Sequence, residues 1–300
     1  MLWDYHRRLI ADEPRTIAFR DAIRSAVTPE SVVLDLGSGS GILSFFACEA
    51  GARRVFAIDD GHMADAVALL ARHLGFADRL QVFHAHSLKV ELPERATVLV
   101  TETLGAFGLD EQILSSVIDA RARLLRPDAT IIPRDLTMIV APVEVPEQYE
   151  QRVTCWSERY GFDFSPLRPF TANFIHPHRA MPGTFLAEPG AVISVDVARA
   201  AATKASGTAH FRAGRAGTLH GFAGWFTSSL TPEITVTGYG PTSWNQVFLP
   251  LTVPVAVAEG APISVTVETD DGAWFRWRGT ANGSAFDQCT VASAPPCTLQ

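Results

Sequence analysis

The sequence predicts an α/β protein in two parts: a parallel-rich, doubly wound sheet over residues 1–133, then an antiparallel β-barrel or sandwich over 134–300. Up to Pro133, short apolar runs alternate with helical patterns of roughly 10–15 residues, the texture of right-handed β-α-β crossovers. From Leu136 onward the runs are β-rich and broken by Gly and Pro. The 300 residues suffice for two domains.

Val32–Leu36 reads as the first strand and Ile42–Glu49 as the helix after it, followed by a strand at 54–58. Met63 to Leu74 has helical spacing, Leu80 to His84 is a third strand and Ala96 to Thr101 a fourth. A helix over Glu111 to Leu125 and a fifth strand over Ala129 to Ile132, stopped by Pro133, complete the first part. In the second part, strands are expected at 137–143, 192–198, 219–226, 246–251, 263–268 and 274–278. The segment 146–189 is aromatic, punctuated by proline, and fits neither pattern.

Charge and composition narrow the partners. Lys and Arg total 25 against 32 Asp and Glu, a net charge of −7 with no basic run, which excludes the electrostatic footprint of a nucleic-acid binder and suits a cationic partner. The N-terminus carries charges where a signal peptide needs apolar residues, and no run of about 18 apolar residues occurs, so a soluble cytoplasmic protein without membrane association is expected. The cysteines at 48, 155, 289 and 297 form no CxxC or Cys/His spacing, so neither a disulfide framework nor a metal site is expected. Cys289 and Cys297 could pair near the C-terminus, but they read rather as two exposed thiols in a loose tail.

The sharpest local signal is Val33-Leu-Asp-Leu-Gly37-Ser-Gly39-Ser-Gly41, a strand running into a glycine-rich turn that opens a helix. A dinucleotide fingerprint reads GxGxxG and seats pyrophosphate on the helix N-terminus. Here the spacing is GxGxG, and Asp35 lies two residues ahead of the first glycine. A carboxylate there repels pyrophosphate and suits the sulfonium and ammonium of S-adenosylmethionine. Asp59 ends the second strand eighteen residues after Gly41, where an acid accepts hydrogen bonds from ribose hydroxyls. The first part is thus expected to be a Rossmann-like methyltransferase domain.

At this point the sequence resembles the protein arginine methyltransferases over nearly its whole length. Asp12-Glu-Pro-Arg-Thr16 is similar to the family's Asp-Glu-x-Arg-Thr helix, with His6 at a matching position. Glu102-Thr-Leu-Gly-Ala-Phe-Gly-Leu-Asp-Glu111 looks like its double-glutamate loop. Residues 156–165 are similar to the arm that forms head-to-tail dimers. The resemblance implies N-terminal helices before the glycine turn, Arg15 holding the methionine carboxylate, Glu102 and Glu111 on the acceptor, and a homodimer built from 146–189.

The chain departs from the pattern at several places. Thr242-Ser243-Trp244 stands where the family has Thr-His-Trp, and Thr103-Leu104 replaces Trp-Met after the first glutamate. Leu88, beside Ser87, replaces the acid expected at the adenine, which puts Ser87 among the cofactor contacts. The sequence also begins too late for the family's Tyr-Phe-x-x-Tyr segment, with Trp3 and Tyr5 as substitutes. Thr103, Ser243 and Trp244 are therefore candidate walls of the acceptor site; a lone Trp is otherwise most often core.

Two carboxylates suit a guanidinium acceptor. Bidentate pairing fixes its plane, and unequal hydrogen bonding localises charge on the nitrogens that do not react. Glu102 falls at the carboxyl end of strand four, where an α/β sheet binds ligands. Glu111 alternatively serves only the dipole of the following helix, which Asp110 is expected to cap. The acceptor expected is arginine, in a protein or free. A small acceptor such as an indole, or a silent scaffold, are the alternatives.

Overall fold

The computed structural model describes residues 2–291. Helices α1 (Leu2–Ala11) and α2 (Glu13–Ala26) precede a parallel sheet built from β1 (Val32–Leu36), β2 (Arg54–Asp59), β3 (Leu80–His84), β4 (Ala96–Thr101) and β5 (Leu125–Ile132), with α3 (Ile42–Glu49), α4 (Met63–His73) and α5 (Ile113–Arg123) as crossovers. The strand order β3-β2-β1-β4-β5 reverses direction beside β1, so the carboxyl ends of β1 and β4 frame a crevice. Val33, Leu34, Val55, Phe56, Leu99 and Val100 are fully buried between the helices, as a parallel sheet covered on both faces requires.

The second part is antiparallel. It runs through β6 (Leu136–Val143), α6 (Pro146–Tyr149), β7 (Glu158–Arg159), β8 (Phe162–Asp163), α7 (Arg168–Ala172) and β9 (His176–His178). After these come β10 (Gly190–Val195), β11 (Lys204–Arg212), β12 (Gly217–Ser229), β13 (Thr235–Thr237), β14 (Gln246–Val257), β15 (Pro262–Asp270), β16 (Phe275–Ala281) and β17 (Ser284–Cys289). One sheet has the order β10-β6-β12-β14-β9, with β13 also on β12, and the other has β11-β15-β16-β17. Phe222, Leu249, Val267 and Trp277 fill the core they share, and the Trp277 indole N–H donates to the Pro250 carbonyl at 2.8 Å.

Helix α5 begins at Ile113, two residues later than its sequence pattern suggests, because Gln112 adopts a left-handed backbone (φ 60°). Asp110 does not cap it. Asp271, from the β15–β16 turn, accepts from the free N–H groups of Leu114 (3.0 Å) and Ser115 (2.7 Å), so the second part satisfies a helix end of the first. Asp110 turns back instead and accepts from the Phe107 N–H at 2.9 Å, closing the loop that carries both glutamates.

The segment 146–189 projects its own hairpin and short helices. Tyr160, with φ 56°, is 97% exposed at the hairpin tip, and Phe162 and Phe170 are 68% and 47% exposed. Cys289 is fully buried in β17, contrary to the expected exposed thiol, because its strand pairs with β16; Cys297 lies outside the described residues. Among the described residues no helix is long and apolar enough to cross a membrane, and no group of three His, Cys, Asp or Glu is arranged to hold a metal ion.

Candidate active site

A cavity of about 450 Å³ opens at the carboxyl ends of β1 and β4. Its walls include Gly37 and Gly39 of the glycine turn, Arg15, Asp59, both glutamates, Thr103, Ser243 and Trp244, so residues from five separated segments converge. Three other residues of the sequence reading lie outside this lining. Gly41 sits just behind, with φ 78° at the N-cap of α3, where a Cβ would press on Val67 at 2.7 Å. Ser87 belongs to a 3-10 turn, its carbonyl accepting from Arg123 at 3.1 Å, and it does not line the cavity.

The third, Asp35, does not face the cavity as the charge argument expects. It is fully buried beneath the turn, where one oxygen accepts from the Ser44 hydroxyl at 2.6 Å and the other has no protein partner. Burial outweighs the Ser44 bonds and pushes its pKa up to about 7, with Asp59 adding a smaller repulsion.

Asp59 organises the turn. Its two oxygens accept from the N–H groups of Gly39 and Gly61, each at 2.7 Å, leaving further lone pairs on the cavity side of a half-buried carboxylate. Gly37 and Gly39 have φ of 74° and 48°, and a Cβ on them would meet Thr103 at 2.9 Å and His6 at 3.1 Å. His6 is thus packed against the turn, where the sequence alone suggests a solvated group. Burial lowers its pKa, opposed by Asp59. Tyr5 also lines the cavity, whereas Trp3 does not and is 65% exposed.

Arg15 is set by its helix start. Asp12 caps α2 by accepting from the Arg15 N–H at 3.3 Å, and Pro14 fits the first turn, where no N–H is needed. The Arg15 side chain then pairs with one oxygen of Glu102, while the Trp244 indole N–H donates to the other at 2.8 Å. Both charged side chains are about nine-tenths buried (9% and 10% exposed), and the guanidinium also lies 5.4 Å from the Trp244 ring. Burial lowers the Arg15 pKa to about 10, with Asp12, Tyr5 and Glu111 opposing. Trp244 is 7% exposed, so it is at once core and cavity wall.

Glu111 stands on the open side. Removal from bulk water first, and the neighbouring Asp110 second, raise its pKa above the usual carboxylate value, with Arg15 opposing. The cavity therefore holds more acids than cations, and its buried polar edge is incomplete: Arg15 Nε, Ser38 Oγ and Ser243 Oγ have no protein partner. An unpaired guanidinium N–H, a glycine cradle and an acid at the end of β2 fit the carboxylate, the backbone-contacting part and the ribose of S-adenosylmethionine, respectively.

A family model described as the arginine methyltransferase oligomerization subdomain matches residues 135–276, and one for ribosomal protein L11 methyltransferase (PrmA) matches 16–133. Protein arginine N-methyltransferase 6 of Xenopus laevis is 32% identical over 290 residues, 89% of this chain and 84% of the relative. The chain belongs to the protein arginine N-methyltransferase family. Protein arginine N-methyltransferase 2 of Homo sapiens is 30% identical over 87% of the chain, and that of Dictyostelium discoideum 31% over 74%. This family member spans 65% and 46% of the lengths of those two relatives. The Trypanosoma brucei PRMT1 enzyme-prozyme heterotetrameric complex with AdoHcy shares its fold, with a TM-score of 0.84 at 23% identity over 95% of this chain and 96% of that one. Arabidopsis thaliana protein arginine methyltransferase 10 has a TM-score of 0.81 at 21% identity, over 97% and 100% of the two chains.

Sequence reasoning missed Asn245, which also lines the cavity, and the Asp12–Ser243 link. Asp12 accepts from the Ser243 N–H at 2.6 Å, tying the segment around Trp244 to the N-terminal helices across 231 positions. No local pattern announces such a contact.

The Asp59 geometry yields an expected result. Asp59→Ala is expected to weaken S-adenosylhomocysteine binding by roughly 1.5–3 kcal/mol, because it removes the charged acceptor that holds the Gly39 and Gly61 N–H groups at the cavity edge. Asp59→Asn fails to restore it, since its amide would aim N–H groups at the N–H of Gly39 or Gly61. Calorimetry that gave wild-type affinity for the alanine variant would contradict this assignment.

Proposed function

We propose that the protein is an S-adenosylmethionine-dependent arginine N-methyltransferase, acting on a guanidine nitrogen of an arginine acceptor. The observation that carries the reading is the pair Glu102 and Glu111 lining one cavity with the glycine turn and Asp59. Arg15, Gly37, Gly39 and Asp59 would hold the cofactor, which supplies a methyl group on a cationic sulfur. Glu102 and Glu111 bind the guanidinium and orient the reacting nitrogen, so that its lone pair points along the line of transfer. Their charge is preorganised and draws the positive charge toward the nitrogens that do not react. Glu111, whose pKa is raised, accepts the proton that the methylated nitrogen releases. Trp244 keeps Glu102 in place and covers Arg15.

Initial rates with labelled cofactor, comparing free arginine, a glycine-arginine-rich peptide and tryptophan derivatives, test the reading. Transfer to the arginine acceptors is expected. Transfer to the indoles alone would replace the reading with methylation of a neutral aromatic.

The same proposal includes a homodimer formed through residues 146–189. The family model that covers this segment is one of oligomerization, and Tyr160, Phe162 and Phe170 expose more apolar surface than a monomer normally leaves in water. Light scattering at micromolar concentration is expected to give twice the chain mass, and Phe162→Ser with Phe170→Ser to lower it. A monomeric wild type would refute the dimer.

A further inference from the structure

The catalytic cavity has two neighbours. One, of about 550 Å³, lies beyond Ser243 and is bordered by Asp12, Glu13 and Arg8. The other, of about 380 Å³, lies beyond Ala106 and Asp110 and is bordered by Phe107, Phe174 and Phe275. Asn245 lines all three.

Asn245 is suited to contact something other than its own chain. It is exposed, with a left-handed backbone (φ 62°) that asparagine tolerates, and its amide lies 3.5 Å from the Ser243 carbonyl, a long bond that is easily exchanged. A carboxamide offers one acceptor and N–H donors, the complement of a peptide group. In the outer compartments the character is opposite. On the Ser243 side, Glu13 has no ion-pair partner among the described residues and Arg8 is already 3.6 Å from Asp4, so the space favours a cation. On the Phe174 side the ring is 59% exposed beside buried Phe107 and Phe275, so the space favours an apolar group.

We propose that Asn245 is a positioning residue for the main chain of the acceptor, and that the two outer compartments read its flanks, a basic residue beside Ser243 and an apolar one beside Phe174. The inference rests on the guanidine-methylation reading. Each outer space shares lining residues with the catalytic cavity, Ser243 on one side and Ala106 on the other, so one extended acceptor reaches all three. A free arginine has no flanking residues to reach the outer two.

The test uses heptapeptides with a central arginine flanked by glycines, by lysine then leucine, or by leucine then lysine. One of the two mixed orders is expected to show a KM about tenfold below that of the glycine peptide. Asn245→Gly keeps the left-handed backbone and removes only the carboxamide; it should raise KM for every peptide about tenfold with a much smaller change in kcat. A misfolded site would not give that split. Glu13→Gln should abolish the preference for lysine alone, and Phe174→Ser the preference for leucine alone. Equal KM across all peptides in an enzyme that turns over would overturn the inference and leave the guanidine reading standing. No turnover on any arginine acceptor would overturn both.

Discussion

Glu102→Gln is expected to reduce kcat/KM for an arginine acceptor by ~2–5 kcal/mol in transition-state stabilisation, from about thirtyfold to several thousandfold. Glu102 is 10% exposed and already bonded by Arg15 and Trp244, so a neutral amide there leaves Arg15 without its counter-charge and presents N–H groups to a guanidinium that has only donors. Glu111→Gln acts in the same direction by a smaller factor, because Glu111 is open to solvent on one side. Affinity for S-adenosylhomocysteine should stay within a few-fold of wild type in the Glu111 variant. The Glu111 pKa is raised, so turnover should climb with pH through a midpoint above the ordinary carboxylate range as Glu111 ionises. In Glu111→Gln that step disappears. Steady-state kinetics as a function of pH check both points, and a variant with wild-type kcat/KM would remove that glutamate from the acceptor site.

A second large effect concerns stability. Asp35 keeps its proton up to about pH 7 in the folded protein, whereas an unhindered carboxyl releases it near 3.8. Between those values the folded state binds more protons than the unfolded one, so the Asp35 contribution to stability is greatest below pH 3.8 and is lost as pH rises toward 7. From pH 5 to pH 8 the loss is roughly 3 kcal/mol at one pKa unit per 1.36 kcal/mol. Asp35→Asn keeps a carbonyl for the Ser44 hydroxyl and cannot ionise, so it should be more stable than wild type at pH 8 and lose that advantage at pH 5. Urea unfolding of both proteins at the two pH values measures the difference directly. A difference that does not change with pH would mean that buried Asp35 is not the titrating group.

The parallel sheet was legible because local rules govern it. The runs at 80–84 and 96–101 appear as strands at those bounds, and the glycine turn follows from spacing alone. The antiparallel part was less so. Strand β11, Lys-Ala-Ser-Gly-Thr-Ala-His-Phe-Arg, has few β-branched or large residues and owes its conformation to nine register partners on β15. Helices α1 and α2 came from the family resemblance rather than from periodicity.

At the site, Glu102 and Asp59 were legible as acids ending strands, since topology places strand ends at the ligand crevice. Asp35 was misplaced because sequence shows a charge but not which side of the turn it occupies. The cap of α5 was misassigned because a neighbouring acid is the local choice, whereas Asp271 reaches the free N–H groups from 157 positions away. Ser243 likewise shows its partner, Asp12, only in three dimensions.

The claim that two carboxylates hold a guanidinium for methyl transfer is tested most directly by fragment-ion mass spectrometry. An arginine peptide is incubated with the protein and methyl-labelled S-adenosylmethionine, and the labelled atom is located. The account predicts label on a guanidino nitrogen with the wild-type protein and its near-complete loss with Glu102→Gln. Label elsewhere in the acceptor, or label on the guanidino nitrogen at an unchanged rate without Glu102, would contradict it.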